Sequence, residues 1–473
     1  MSPAELFALL PIIILALGST AILMLGIWWP HRHGLFLSGV VIAIAAAATA
    51  IFLPPSVSEV AGMVGTGPYG RFFTALWSLV GAMTLVVSVR YSREQQFSAG
   101  EYISLILFAA CGMAFLSAAT SLVGLFLGLE AFTLVLYILI AFHKNSVEGA
   151  EAGLKYLVLG AVATGFLAFG IALIYASSGT FHLPEAMAGI VDGGRLRPLG
   201  LLGWTMLLAA LGFKISLVPF HLWTPDVYQG APAPVAGLLS TGSKGAVFAV
   251  LVTLLSGWSG GRSDLVPLLW VLAALSMVIG TLCALRQDNI KRMLAYSSIV
   301  HMGYIAIALI AGGRTGNGAV LFYVLVYSLA NLGAFGVITA LSGPAGEPQG
   351  HDAYRGAGYR HPLKGAALSL FLLSLAGIPP TAGFIGKFAI FHSAIRSGYT
   401  GLALIGVLTS LISLYYYLRP VVVMYMGDQP AVPLPASSRL EKAYVVLCLG
   451  AVVLFGLYPG PLWELITVVL PSP

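Results

Sequence analysis

Apolar runs recur along the whole chain, separated by short stretches where Gly, Pro and charged residues collect. Most runs approach the roughly 20 residues a helix needs to cross a bilayer. The pattern predicts spans near 5–29, 35–53, 72–89, 102–119, 121–142, 153–176, 199–218, 232–257, 265–285, 293–312, 318–342, 364–395, 401–426 and 443–468. The boundary between the fourth and fifth rests only on Ala118 to Ser121, so the expected count is about fourteen, within thirteen to fifteen. The first run, Leu6–Trp29, exceeds a signal-peptide core of about 7–15 residues and has no basic segment before it, so it reads as a retained span. No interval between spans is long enough for a soluble domain. The longest, Gly343–His361 and Gly427–Leu440, are rich in Gly, Pro and polar residues and read as irregular loops.

Two runs are interrupted. The seventh leads into Val218-Pro219-Phe220-His221-Leu222-Trp223-Thr224-Pro225, and the twelfth contains Gly377-Ile378-Pro379-Pro380-Thr381-Ala382-Gly383. Proline removes a backbone donor and breaks a helix, and the freed carbonyls need protein or water as partners. Paired broken helices in two halves of a membrane protein mark ion paths built on inverted repeats. The expected architecture is therefore all-α and polytopic, a single membrane domain over 1–473. Three N-terminal helices lie within 1–100, one five-helix repeat spans 101–257, a second spans 264–426, and a C-terminal helix lies within 441–473.

Composition agrees: 59% of the 473 residues are hydrophobic and 8% charged, with a mean hydropathy of +0.95, outside the range of soluble domains. The net charge of +6 comes from scattered residues with no basic run, so nucleic acid is not an expected partner. Loop cations instead set orientation. Odd-to-even loops carry Arg32, Arg90, Arg93, Lys144, Lys155, Arg286, Lys291, Arg292, Arg355, Arg360, Lys364, Arg419, Arg439 and Lys442, fourteen against six on the other side. Both termini are expected on the non-cytoplasmic side. Cys111, Cys283 and Cys448 stand far apart in apolar segments, which excludes a CxxC metal or cluster motif. Gly65-Thr66-Gly67-Pro68-Tyr69-Gly70 fits GxGxxG, but it contains Pro and lies in a loop with no strand expected before it, so it is not read as a dinucleotide site. No P-loop, HExxH or nucleophile elbow occurs, and no cofactor or metal is expected in this chain.

What changes the picture most is charge inside the spans. Glu130, Lys214, Lys244 and Lys387 each stand in an apolar run, at an insertion cost of about 2.5–3.5 kcal/mol apiece. Such charges mark ion or proton paths. Glu130 is the expected partner of Lys214: a carboxylate holds an ammonium charged, and weakening the pair lets desolvation release the proton. Lys214 could instead snorkel from its span end, but the adjacent break argues for a hydrated cavity. Lys244 lies among Ser240, Thr241, Gly242 and Ser243, small residues that permit close packing and water entry. Lys387 follows the second break. His221 and His301 are candidate relays, the alternative for each being a helix-packing hydrogen bond; His392 is a weaker one. Lys155 reads as snorkelling, Asp226 as a helix cap or a neutraliser, and Tyr415, Tyr416 and Tyr417 as helix-packing or interface residues.

The segment LGFKISLVPFHLWTPDVYQGAPAP at 211–234 resembles the broken seventh helix of the antiporter-like subunits of respiratory complex I and the related Mrp antiporters, and Ala295–Tyr304 is a second family segment. Three details resemble the N type, called subunit 2 in mitochondria. These are GIPPTAGFIGKF at 377–388, a lysine at 387 where the M type has glutamate, and a lysine at 244 where the L and M types typically have histidine. The resemblance implies a bacterial inner-membrane subunit that translocates protons through Glu130, Lys214, Lys244 and Lys387, with His221 and His301 as candidate relays. It also implies that NADH, FMN, iron–sulfur clusters and quinone belong to partner subunits, and that K- and M-type subunits are the neighbours. An independent cation/proton antiporter would use the same charges. A passive scaffold would explain the hydrophobic bulk but not the inserted charges.

Overall fold

A computed structural model describes the chain except residues 1, 30, 56, 192–195, 257–261, 345, 427–437 and 471–473. Helices dominate it. Among the described residues, twelve are long and apolar enough to cross a membrane: Leu10–Trp28, Arg32–Phe52, Pro68–Glu94, Ala99–Ser117, Leu122–Ile140, Val147–Ser178, Ala233–Ser256, Leu265–Ala284, Ile290–Ala311, Gly313–Leu341, Thr400–Met426 and Arg439–Leu457. The expected seventh and twelfth spans are absent from this set: the seventh is the 18-residue helix Arg197–Lys214, separated by the break from Trp223–Gly230, and the twelfth is two 15-residue helices, Pro362–Ala376 and Ala382–Arg396. The last expected span also divides, into Arg439–Leu457 and Gly460–Val469, at Pro459. Most of the expected loop Gly427–Leu440 lies outside the described residues.

Burial sorts the helices by position. Ala233–Ser256 and Ile290–Ala311 are each 94% buried over their apolar window, and Gly313–Leu341 is 89% buried. Leu10–Trp28 and Arg439–Leu457 are only 22% and 28% buried, with apolar side chains turned outward. A helix that is apolar all round can serve either setting. What distinguishes the central three is the serine, asparagine, histidine and tyrosine they carry inward, satisfied by neighbouring helices.

Both breaks are closed by side chains. In the first, Ser216 adopts φ +64 and the Val218–Pro219 bond is cis. The Val218 amide donates to Ser276 Oγ at 2.9 Å, the Trp223 indole donates to the Phe213 carbonyl at 3.0 Å, and Thr224 Oγ1 donates to Ser216 Oγ at 2.7 Å. In the second, Gly377 takes φ +86 as the cap of Pro362–Ala376, and the Gly383 amide donates to Ser374 Oγ at 3.3 Å. These bonds satisfy donors and acceptors that the prolines leave without helical partners.

Two expectations about loops need correction. Residues 343–361 are not irregular throughout: they hold a 3-10 turn at His351–Tyr354 and a helical turn at Ala357–Arg360. Glu347 anchors this segment. It pairs with buried Lys291 and accepts from the Tyr91 hydroxyl at 2.6 Å and the Ala233 amide at 2.7 Å. The GxGxxG stretch does follow a strand, Val64–Gly65, but one of two residues paired antiparallel with Glu59–Val60. The helix begins inside the motif at Pro68, so the parallel strand–turn–helix unit of a dinucleotide site is not formed here. The three cysteines are free thiols.

Candidate functional site

Lys214 is the last residue of its half-helix and is 3% exposed. Its Nζ lies 5.7 Å from the Tyr137 ring centroid, 5.6 Å from Tyr156 and 5.6 Å from Phe213, and has no hydrogen-bond partner among the described residues. Ring faces stabilise an ammonium, but less than an anion would. Glu130, the expected partner, makes no ion pair with it. Its Oε1 accepts from Thr164 Oγ1 at 2.7 Å instead. Glu130 sits at the edge of the outward stripe Leu127, Leu134 and Ile138, which is 48–55% exposed, so the carboxylate is only half-buried.

Lys244 is 1% exposed. It directly follows a π-helical turn, Leu239–Ser243, in the middle of an otherwise regular helix; such turns frequently accompany functional sites. Lys244 Nζ donates to Ser298 Oγ at 2.7 Å and stands 5.2 Å from the Tyr228 ring. One turn further along the Ile290–Ala311 helix, His301 is held on both nitrogens. Nδ1 bonds the Tyr323 hydroxyl at 2.7 Å and Nε2 the Tyr417 hydroxyl at 2.8 Å. The Tyr417 hydroxyl also bonds Ser297. Lys387 is 4% exposed. It donates to Ser410 Oγ at 2.8 Å and to the Ala376 carbonyl at 2.9 Å, with the Tyr304 ring 5.0 Å away. Ala376 ends the half-helix Pro362–Ala376, so this ammonium sits at the negative end of a helix dipole.

The fold thus brings Lys244, His301 and Lys387 into one central region and sets Lys214 to one side of it among aromatic rings. It does not join His221 to them: that residue is buried in the first break, its Nδ1 without a partner among the described residues. His392 faces outward, stacked on Phe388. Lys155 does more than snorkel, bonding Glu151 at 2.7 Å and Asp226 at 2.8 Å. Asp226 also takes Arg292 at 2.6 Å, so it neutralises two cations beside a cavity of about 170 Å³. Arg90, Lys291 and Lys364, counted above as loop cations, are held inside the fold. Arg90 pairs with buried Glu441 at 2.6 Å, Lys291 with Glu347, and Lys364 donates to the Ala340 carbonyl at 2.6 Å.

Sequence reading missed Thr164, Ser298, Tyr323 and Tyr417. Serine and threonine are too common in membrane helices to stand out. In sequence Tyr417 reads like its two neighbours, as a helix-packing or interface residue, yet Tyr415 is 63% exposed while Tyr417 is fully buried against His301. The signal available was helical phase: Ser410, Ser413 and Tyr417 recur at i, i+3 and i+7 on one face.

The family model described as NADH:quinone oxidoreductase/Mrp antiporter, transmembrane, matches residues 119–413. Among curated proteins, NADH-quinone oxidoreductase subunit N of Syntrophotalea carbinolica is 50% identical over 468 residues, covering 98% of this chain and 99% of that protein. The subunit of the same name from Geotalea uraniireducens is 48% identical over 472 residues, covering 99% and 100%. Among solved structures, a chain of respiratory complex I from Thermus thermophilus superposes with a TM-score of 0.82 at 35% identity, covering 97% of this chain and 99% of that one. A chain of the Mrp complex from Dietzia reaches 0.84 at 20% identity, covering 99% and 97%, which shows a shared fold alone.

Proposed function

The chain belongs to the subunit N family of NADH-quinone oxidoreductase, and from that premise we propose that Glu130, Lys214, Lys244 and Lys387 carry its protons. It is a proton-translocating membrane-arm subunit of an oxidoreductase complex. Electron transfer, with its NADH, FMN, iron–sulfur clusters and quinone, belongs to partner subunits, and this chain performs the translocase part. The observation that carries the site assignment is a contrast between two sets of buried cations. Buried Lys291 and part-buried Arg90 are paired with carboxylates, which offsets the cost of enclosing their charge. Lys214, Lys244 and Lys387 are 3%, 1% and 4% exposed and make no ion pair among the described residues. A permanently charged, unpaired ammonium would weigh against folding. A group that gives up its proton during turnover does not bear that penalty throughout.

In this mechanism Lys214 exchanges a proton with one side under the control of Glu130. Lys244 receives it through the central polar region, and Lys387 hands it towards the other side. His301 relays between the last two. His221, lacking a bonded route to them, is left as a relay on the Lys214 side. Each charge moved against 100 mV takes about 2.3 kcal/mol, which must come from redox chemistry elsewhere in the complex. The half-buried Glu130, set beside outward apolar side chains, supports a neighbouring subunit of the K type covering that face, because a carboxylate turned to lipid is costly. An M-type subunit would adjoin the Lys387 half. The independent-antiporter reading rests on fold likeness alone.

The test is Lys214→Ala and Glu130→Ala in the assembled complex in native membrane vesicles. Expected is normal assembly with NADH-driven proton uptake reduced to less than about a tenth for Lys214→Ala, within the span of a lost proton-transfer group. Full uptake in both variants would refute the assignment.

A further inference from the structure

We propose that Tyr417 and Tyr323 are themselves relay residues, making His301 the centre of a three-side-chain proton link in the region that holds Lys244 and Lys387. The inference rests on the proton-translocating reading above. A neutral imidazole carries one donor and one acceptor nitrogen, and here each nitrogen meets a tyrosine hydroxyl, at 2.7 Å and 2.8 Å. The two hydroxyls come from different helices, Gly313–Leu341 and Thr400–Met426. All three side chains are at most 2% exposed.

The two outer ends of this link point to different places. At one end the Tyr417 hydroxyl bonds Ser297, whose sequence neighbour Ser298 receives the Lys244 ammonium at 2.7 Å. At the other, the Tyr323 ring lies so close to Gly386 that a Cβ there would collide with it; the next residue is Lys387. Tyr323 therefore abuts the turn that carries the second lysine.

The proton balance follows from the tautomers. In one state Tyr417 O–H donates to Nε2 and Nδ1–H donates to the Tyr323 oxygen. A proton arriving on the Tyr417 oxygen from the Ser297 end drives Tyr417's own proton to Nε2. Nδ1 then passes its proton to Tyr323, and Tyr323 releases its original one towards Lys387, which takes it up once it has passed its own proton on. One proton enters and one leaves, each residue ends neutral, and the imidazole has changed tautomer. Resetting requires the ring to turn over.

The experiment compares Tyr417→Phe, Tyr323→Phe and, as control, the outward Tyr415→Phe, in the assembled complex in native membrane vesicles. Proton uptake and NADH oxidation are measured in H₂O and in D₂O. Phenylalanine keeps the ring and removes only the hydroxyl. Expected for both relay variants is normal assembly, coupled turnover down about tenfold or more and a larger solvent deuterium effect, because proton transfer becomes limiting. Tyr415→Phe stays as wild type. A merely structural tyrosine would slow turnover without raising the isotope effect, and that result overturns the proposal. So does wild-type behaviour of both relay variants while Lys214→Ala loses pumping. If Lys214→Ala also pumps fully, the underlying proton-path assignment falls, and this inference with it. If Tyr417→Phe does not assemble, Tyr323→Phe and Ser297→Ala decide: an unchanged isotope effect in both overturns the proposal.

Discussion

At the scale of single residues, burial alone does not separate the charges proposed to carry protons from those that brace the fold: Lys364 is as buried as Lys214, and its ammonium rests on the Ala340 carbonyl. Glu347 holds Lys291, a tyrosine hydroxyl and a helix N-terminal amide at once, the kind of multiply satisfied carboxylate that stabilises an assembly of helices. Glu130 has one hydroxyl, Thr164 Oγ1 at 2.7 Å. A hydrogen bond to a charged group contributes about 1.5–3 kcal/mol, and partial exposure places this one at the low end. Thr164→Val is accordingly expected to slow NADH-driven proton uptake by up to about tenfold, while Thr164→Ser, which keeps the hydroxyl, restores most of it. Uptake assays on vesicles carrying each variant check this. The four inserted charges were legible in the sequence because a charge in an apolar run is rare. Their partners were not, because a threonine or tyrosine becomes a partner only through the helix that faces it.

At the scale of elements, the two broken helices look alike in sequence and differ in how they hold their lysines. Lys214 ends its half-helix and points among three rings. Lys387 lies in the second half-helix and reaches back to the last carbonyl of the first. Gly377 makes that reach possible. It sits at φ +86, and a Cβ there would come within 2.8 Å of Lys387 Cδ. Gly377→Ala is expected to cost about 1–2 kcal/mol in backbone strain and to displace the ammonium. Gly398→Ala provides the control: its φ is +85, but a Cβ there meets nothing within 4 Å. Both variants are expected to melt earlier by a similar amount, and only Gly377→Ala to lose proton uptake as well. The breaks themselves were readable from Pro and Gly. The π-turn before Lys244 was not, since Leu239–Ser243 carries no residue that forbids an ordinary helix.

At the scale of the whole molecule, the bias of Lys and Arg assigns sides, and the fold narrows the basis for it. Arg90, Lys291 and Lys364 serve as internal partners, yet their removal from the count leaves eleven against six, still a clear excess. The expected orientation, with both termini non-cytoplasmic, predicts that Ser2→Cys and Ser397→Cys react with a membrane-impermeant thiol reagent in intact cells, and Lys144→Cys only in inverted vesicles. The opposite labelling would invert the orientation. The sequence by itself determined the all-helical membrane class, the two breaks, and the four charges that make a proton path worth seeking. These depend on local hydropathy, on proline and glycine geometry and on the price of a charge in hydrocarbon, all properties of short segments. Only the tertiary structure decided that Glu130 takes the Thr164 hydroxyl, that Lys214, Lys244 and Lys387 make no ion pair among the described residues while Lys155 and Lys291 do, and that two tyrosines grip His301. Those contacts join helices more than twenty and up to more than a hundred residues apart. Which faces meet depends on how the entire bundle packs, and no local pattern carries that information.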